Sequence, residues 1–317
     1  MLLISSTSML NINYLITKKD LFPQILGVSY EHFIKILPKF SSALRLKEYQ
    51  RIPEEKRKRK IGGGRKSKLG DDMGKLFFIL FYYRHYPTLR LAQVLFNLED
   101  SNLCGWVHFL SSALFDALGY QLQLPKVKVN SIRGIYEVCP DLRYFIVDGT
   151  ERKINRPKDK TKQKDYYSGK SKTHAVKNQI LINPKNKRIL YITKTQTARI
   201  HDKKALINDG ILIHAPPKAK GLGDLGYQGV TSDCPWLTVI TPLKRKPKQK
   251  LSSVNKLTNK TISSLRVRVE HTIAKLKVYK ILKDTFRNNL QLADLVFKNI
   301  CCLYNFKLSY RYAKVKT

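Results

Sequence analysis

LRYFIVDGT, residues 142–150, is apolar on both faces and stops at Asp148-Gly149. A strand with one wet face alternates apolar and polar residues. A continuous run rich in Tyr, Phe, Ile and Val reads instead as a central strand covered on both sides. This one ends in a carboxylate. THAVKNQILIN (173–183) and RILYITKT (188–195) follow, joined by Pro184-Lys185-Asn186-Lys187, the composition of a hairpin turn. GLGDLGYQG (221–229) sets Asp224 among glycines at another strand end, and LTVITP (237–242) is a further strand closed by Pro242. A short helix is expected over 201–211, N-capped by Asp202. Strands and helices therefore mix in an α/β arrangement of mostly three layers.

SSLRVRVEHTIAKLKVYK, residues 263–280, has no Pro or Gly, and its apolar residues recur at helical spacing. Ile262, Leu265, Val269, Ile273 and Leu276 fall on one stripe. Glu270, the only glutamate after Glu151, sits among Arg266, Arg268, Lys275, Lys277 and Lys280. With Glu270 taken as zero, Arg266 and Lys277 lie about 40° and 20° to one side of it. A carboxylate is thus bracketed lengthwise by two cations. Alone, that is equally the pattern of a solvated Arg–Glu pair one turn apart. A last apolar helix, Leu290 to Phe306, packs behind.

The N-terminal half is helical in pattern. Residues 20–50 read as one or two helices, punctuated by Gly27 and Pro38. Residues 51–70 carry nine Lys/Arg against two Glu around three consecutive glycines, a basic linker that includes Arg65 and Lys66. The spacing is not that of a phosphate-binding P-loop. Such a Gly-Arg core suits a narrow, A·T-rich minor groove, and also a solvated tether. Over 73–124, an apolar helix ends at Pro87, Thr88 caps LRLAQVLF, and LCGWVHFLSSALFDAL follows a short turn. Leu91, Ala92 and Leu95 are expected on one side of the former, and Val107, Leu110 and Leu114 on one side of the latter. Helix, short turn, helix is the layout of a helix-turn-helix. The expected divisions are 1–60 with a linker to about 72, 73–124, and 141–310.

Across 317 residues, 60 Lys+Arg against 23 Asp+Glu give a net charge of +37. A folded chain this basic repels itself unless a polyanion neutralises it, and nucleic acid is the usual one. The five scattered cysteines, with no C-x2-C pair, fit a reducing compartment and no zinc site. No secretory signal and no membrane-length apolar run is evident. The expectation is a cytoplasmic, nucleoid-associated protein with no membrane partner.

Asp148, Asp224 and Glu270 each have a bland reading, as turn or surface residues. Together they are two strand-end aspartates and one helical glutamate in an acid-poor chain. Converging like charges are costly unless hard cations share them. Mg²⁺ or Mn²⁺ takes such oxygen ligands and leaves positions for water and phosphate. The order strand–DGT(E), strand–D-x-G-Y-x-G, helix–R-x3-E-x6-K resembles the DDE-type transposases of bacterial insertion sequences. The likeness runs over about 20–310 and is clearest over 142–305.

That resemblance implies an RNase H-like mixed-sheet catalytic domain behind an all-α, helix-turn-helix-type N-terminal domain. It implies that Asp148, Asp224 and Glu270 are a metal-binding catalytic triad for two Mg²⁺ or Mn²⁺ ions. Arg266 and Lys277 match the basic residues of the family's Tyr-Arg-Glu-Lys signature, while Ser263 stands where that signature has Tyr. The implied activity is cleavage of element ends at terminal inverted repeats and their joining to target DNA, by a homo-oligomer on DNA. The nine Lys/Arg of 152–174 add candidate backbone contacts at Arg156, Lys170 and Lys172. The His201-Asp202 pair also recurs in that family. A catalytically inactive, transposase-derived DNA-binding regulator and a metal-dependent nuclease on the same fold are the competing readings.

Overall fold

The computed structural model of the chain describes residues 10, 12–51, 56, 67–98, 100–122, 144–210, 212, 218–245 and 250–314. In chain order come helices α1 (Tyr30–Arg51), α2 (Asp72–His85), α3 (Leu89–Phe96) and α4 (Asp100–Leu118). Strands follow: β1 (Tyr144–Lys153), β2 (Tyr167–Ser168), β3 (Thr173–Ile182), β4 (Ile189–Ile192), β5 (Gln196–Thr197), β6 (Ala219–Leu222) and β7 (Leu237–Ile240). Helix α5 (Asp202–Asn208) lies between β5 and β6, and α6 (Ser253–Leu276) and α7 (Leu290–Lys314) close the chain. Contacts divide it into two units. One comprises Met1–Gln121, Val278–Asp284 and Asn288–Thr317, the other Leu122–Lys277 and Thr285–Arg287.

The first unit is helical. Its core is built from Phe77, Phe78 and Tyr83 of α2, Val107, Leu110 and Leu114 of α4, and Val296, Ile300 and Leu303 of α7, all 1% exposed or less. Helix α7 therefore belongs here, against α4, and not with the 141–310 division expected from sequence. A helix apolar nearly all round must be covered on several sides, but composition cannot say by what. Gly27, at φ 74, ends the short helix Phe22–Leu26, as its punctuation suggested. Pro38 does not act as a break: it lies inside α1. On α3, Ala92 and Phe96 are buried while Leu91 is 50% exposed, so Leu91 does not share the buried face expected for it.

A polar knot is sealed in this core. Asn299 Nδ2 donates to Tyr83 Oη (2.9 Å) and to the Ser111 carbonyl (2.8 Å), and Tyr83 donates to Ser111 Oγ (2.8 Å). Burial raises the Tyr83 pKa far above its ordinary value, keeping it a neutral donor.

The second unit is a mixed sheet ordered β2-β3-β1-β6-β7, with β4 and β5 also pairing β3. β1 lies antiparallel to β3 and parallel to β6, and β6 runs parallel to β7. β1 is central, as its unbroken apolar run predicts: Phe145, Ile146 and Val147 are each 2% exposed or less. The hairpin expected at Pro184–Lys187 joins β3 to β4. Under the sheet, Phe145, Val147, Leu181, Leu190, Leu206 and Tyr227 share one cluster. Among the described residues no helix is long and apolar enough to cross a membrane.

Tyr83→Phe should cost about 1–2 kcal/mol, because it strips an acceptor from Asn299 and a donor from Ser111 inside a dry core. Urea denaturation followed by far-UV circular dichroism measures this; an unchanged midpoint would show that the knot contributes nothing.

Candidate active site

The site begins with a register. In the parallel pair β1–β6, Ile146 lies opposite Leu222. Asp148, still in β1, and Asp224, two residues past the end of β6 in extended backbone, each stand two residues further on, so the register carries both to neighbouring strand ends. Asp148 Oδ1 accepts from the Gly149 N–H (2.8 Å). Asp224 Oδ1 accepts from the Gly226 N–H (2.9 Å) and so caps the 3₁₀ turn Leu225–Tyr227. Both carboxylates are only part-buried. Burial, with the Asp224 charge adding to it, lifts the Asp148 carboxyl from its ordinary 3.8 to about 6, against the lowering pull of Arg266, the Gly149 N–H and Lys170.

Cations stand near Asp148. Arg266, on α6, and Lys170, in the turn before β3, both act on Asp148. Lys277, just past the last residue of α6, feels Glu151, Lys170 and Asp148; burial lowers its pKa from the ordinary lysine value. Glu151 accepts from Ser168 Oγ (2.8 Å) and Ser171 Oγ (2.9 Å), which ties the Lys170 turn to β1. Lys172, in the same turn, is exposed at φ 53.

Glu270 stands apart. Its carboxylate is 53% exposed and lies 3.7 Å from Arg266 Nη2, one turn back on α6. The stripe on which that helix rests is narrower than the periodicity suggests: Ile262, Val269 and Leu276 are buried, but Leu265 is 37% exposed. Among the described residues, no three His, Cys, Asp or Glu side chains gather closely enough to hold a metal ion.

Arg156 is elsewhere in the unit. Its Nε and Nη2 donate to Gln163 Oε1 (3.1 and 2.8 Å), and it lines an open basic pocket with Lys160, Lys164, Arg199, Tyr167 and His174. Arg65 and Lys66 lie outside the described residues.

Three side chains at the site were not singled out from sequence. Lys177 and Gln179 are buried polar residues in the middle of β3, and Tyr227 is 1% exposed beneath the carboxylates. The interrupted apolar run of THAVKNQILIN was the available signal. The expectation that Asp202 caps its helix is corrected. His201 holds the N-cap position of α5, and the Asp202 carboxylate turns instead to Lys177 Nζ at 2.9 Å. An ion pair with a buried lysine outcompetes a capping bond that water can replace.

A probable transposase for insertion sequence element IS702 from Microchaete diplosiphon is 28% identical to this chain over 256 residues, covering 81% of this chain and 87% of that protein. No solved structure matches. The family model described as DDE superfamily endonuclease matches residues 147–305. That is half the chain, from the strand that bears Asp148 into α7, and it shows that the chain belongs to the DDE superfamily of endonucleases, the group to which its DDE-type insertion-sequence resemblance points.

Proposed function

We propose that this chain is a DNA transposase that cuts the ends of an insertion sequence and joins them to target DNA. The observation that carries the reading is the parallel register that sets Asp148 beside Asp224 amid Arg266, Lys170 and Lys277. The central β1, antiparallel to β3 on one side and parallel to β6 on the other, supports an RNase H-like fold for this unit. The net charge of +37 supports a polyanionic substrate.

Asp148 and Asp224 fit a hard divalent cation in chemistry: two carboxylates, one with its charged form disfavoured by burial and by the other. We assign them, with Glu270 as the third acid, to hold Mg²⁺ or Mn²⁺, two ions per site. When bound, such ions polarise a phosphodiester and lower the cost of its negative charge. The chain's own residues do the rest. Arg266 and Lys277 grip phosphate oxygens beside the scissile bond, Arg266 as a planar fork and Lys277 as a point charge. Lys170 and Lys172 continue that track along the strand backbone, and Arg156 extends it at the basic pocket. Arg65 and Lys66 are assigned to the DNA backbone or minor groove. The α3–turn–α4 pair, with Asn97 at φ 51 between its helices, is assigned as a helix-turn-helix-type DNA contact. The protein acts as a homo-oligomer on terminal inverted repeats and target DNA, in the cytoplasm at the nucleoid.

The direct test supplies purified full-length chain with Mg²⁺ and a plasmid bearing the element's inverted repeats. Nicked ends and joined products are expected, and Asp148→Asn or Asp224→Asn should lower both by more than about a hundredfold. Cleavage without joining would make the chain a nuclease, and binding without cleavage a regulator; either result rejects transposition.

Arg266→Ala should weaken binding of element-end DNA about tenfold or more and reduce the slope of log K against log salt by about 1. Titrations at several salt concentrations read both quantities.

Acid should act through Asp148. Its folded pKa of about 6 lies above the ordinary 3.8. Its contribution to stability is therefore full below 3.8 and lost as pH rises through about 6. Metal binding has the opposite sign, since it needs the ionised carboxylate: Mn²⁺ affinity should fall as pH drops through about 6. In metal-free protein at pH 8, Asp148→Asn should be the more stable by about 2 kcal/mol, read from denaturation midpoints.

A further inference from the structure

Two glycines flank the carboxylate pair: Gly149 follows Asp148, and Gly226 lies two residues past Asp224. Neither has a positive φ, so backbone conformation does not demand glycine at either place. Space does. A Cβ on Gly149 would stand 3.4 Å from Asp202 Oδ1 and 3.8 Å from the Tyr227 hydroxyl. On Gly226 it would stand 3.0 Å from Asp224 Oδ1 and 3.1 Å from Asp202 Oδ2. One carboxylate, that of Asp202, thus lays one oxygen against each glycine and fills the gap between the two segments that carry Asp148 and Asp224.

That carboxylate is anchored from behind. Lys177 Nζ holds Oδ1 at 2.9 Å and also donates to the Ile200 carbonyl at 2.6 Å. Gln179 Nε2 donates to the Asp202 carbonyl at 2.7 Å, and Gln179 lies directly opposite Gly149 in the β1–β3 register. Lys177 and Gln179 are alternate residues of one strand, so both reach Asp202 from the same face of β3. Among the described residues, both side chains spend their donors on the Ile200–Asp202 segment. An apolar strand would pack as well and spare the desolvation of a lysine that is 6% exposed. Beside Asp202, the Tyr227 hydroxyl is buried and has no hydrogen-bond partner among the described residues. The charges that bear on it are those of Asp202, Asp148, Asp224 and Arg266.

We propose that Asp202 is a positioning residue for the Asp148–Asp224 pair: anchored by Lys177 and Gln179, its carboxylate is a spacer that sets the separation of the two segments bearing the metal-binding aspartates. Tyr227 stands at the same junction, its buried hydroxyl with one hydrogen bond to give. The proposal rests on the reading that Asp148 and Asp224 bind a divalent ion.

The test uses the full-length chain with Mn²⁺ alone as the probe, its free concentration followed by electron paramagnetic resonance. Melting temperatures are recorded without metal. Asp202→Asn is expected to weaken Mn²⁺ binding about tenfold or more. Asp202→Glu should not rescue it, because the longer side chain does not fit between the two glycines. Lys177→Met should weaken binding in the parent chain but add little in Asp202→Ala, where no carboxylate is left to anchor; this non-additivity is what an anchored spacer requires and a general loss of stability does not produce. A lowered melting temperature with Mn²⁺ affinity intact in Asp202→Asn overturns the proposal, as do strictly additive effects of Lys177→Met and Asp202→Ala. Asp148→Asn is the control. If it abolishes binding while Asp202→Asn does not, the spacer role fails and the metal reading stands. If Asp148→Asn binds Mn²⁺ like the parent, the metal reading itself fails and the spacer role goes with it. Should Asp202→Ala not fold, the isosteric Asp202→Asn and the remote-anchor variant Lys177→Met decide the same question.

Discussion

The lateral pairing of Ile146 with Leu222 is the constraint on which the chemistry depends. Because side chains alternate along a strand, a slip of one residue would send Asp148 and Asp224 to opposite faces. What prevents the slip is packing. The Phe145 ring lies over Gly221 so closely that a Cβ there would stand 2.5 Å from Cζ, and Gly221 is the register partner of Phe145. Burying that ring is worth about 2–3 kcal/mol, and only a glycine opposite it allows the ring to lie flat on its neighbour. The Tyr227 ring does the same over Gly223, where a Cβ would stand 2.8 Å from Cδ2. Aromatic-on-glycine contacts at Gly221 and Gly223 therefore pin the strand end that leads into Asp224.

Register delivers two like charges to one place, and the rest of the site is a response to that. The Asp224 charge adds to the burial that raises the Asp148 pKa, so the two carboxylates oppose each other's ionised form. In a chain with 23 acidic residues against 60 basic ones, the surroundings can supply cations from several directions. Arg266 reaches in from a helix and Lys170 from a turn, and Lys277 sits beyond them at a cost in its own protonation. These same groups suit phosphate. On the proposed reading, acids held together with donors of this kind would take an anion and a metal at once, the pairing that phosphodiester chemistry needs.

Much of this was legible in the chain. Continuous apolar runs announce buried strands, and β1 and β3 lie where their runs lie. Acids at strand ends stand out when acids are scarce, which marks Asp148 and Asp224 as candidates; only the β1–β6 register brings their strand ends together. What could not be read was side-chain direction set by distant partners. Asp202 begins a helix, where an aspartate usually caps; only the fold brings Lys177, 25 positions earlier, within 2.9 Å. Periodicity told that α6 has an apolar stripe but not how wide a surface awaits it, hence the exposed Leu265. The placement of α7 failed to show for the same reason: an apolar helix declares that it must be covered, never by which unit.

The helix α6 holds the remaining tension. Val269 and Leu276 are 0% and 1% exposed and fix its rotation, so Arg266 is turned toward the carboxylates while Glu270 remains at the wet edge. At 3.7 Å, the Arg266–Glu270 contact is longer than a hydrogen bond, and Arg266 Nε is buried with no hydrogen-bond partner among the described residues. A pair of this length with its carboxylate half in water is worth well under about 1 kcal/mol. It is therefore a weak hold on both partners. On the proposed reading each has a better one: the guanidinium on a phosphate, where two parallel donors are satisfied, and the glutamate on the cation shared by Asp148 and Asp224. The two exchanges favour each other, because a phosphate that draws Arg266 away frees Glu270, and a glutamate engaged elsewhere leaves the guanidinium uncompensated until an anion arrives. Substrate and metal would then assemble the third acid together, which gives the loose pair a reason to be loose.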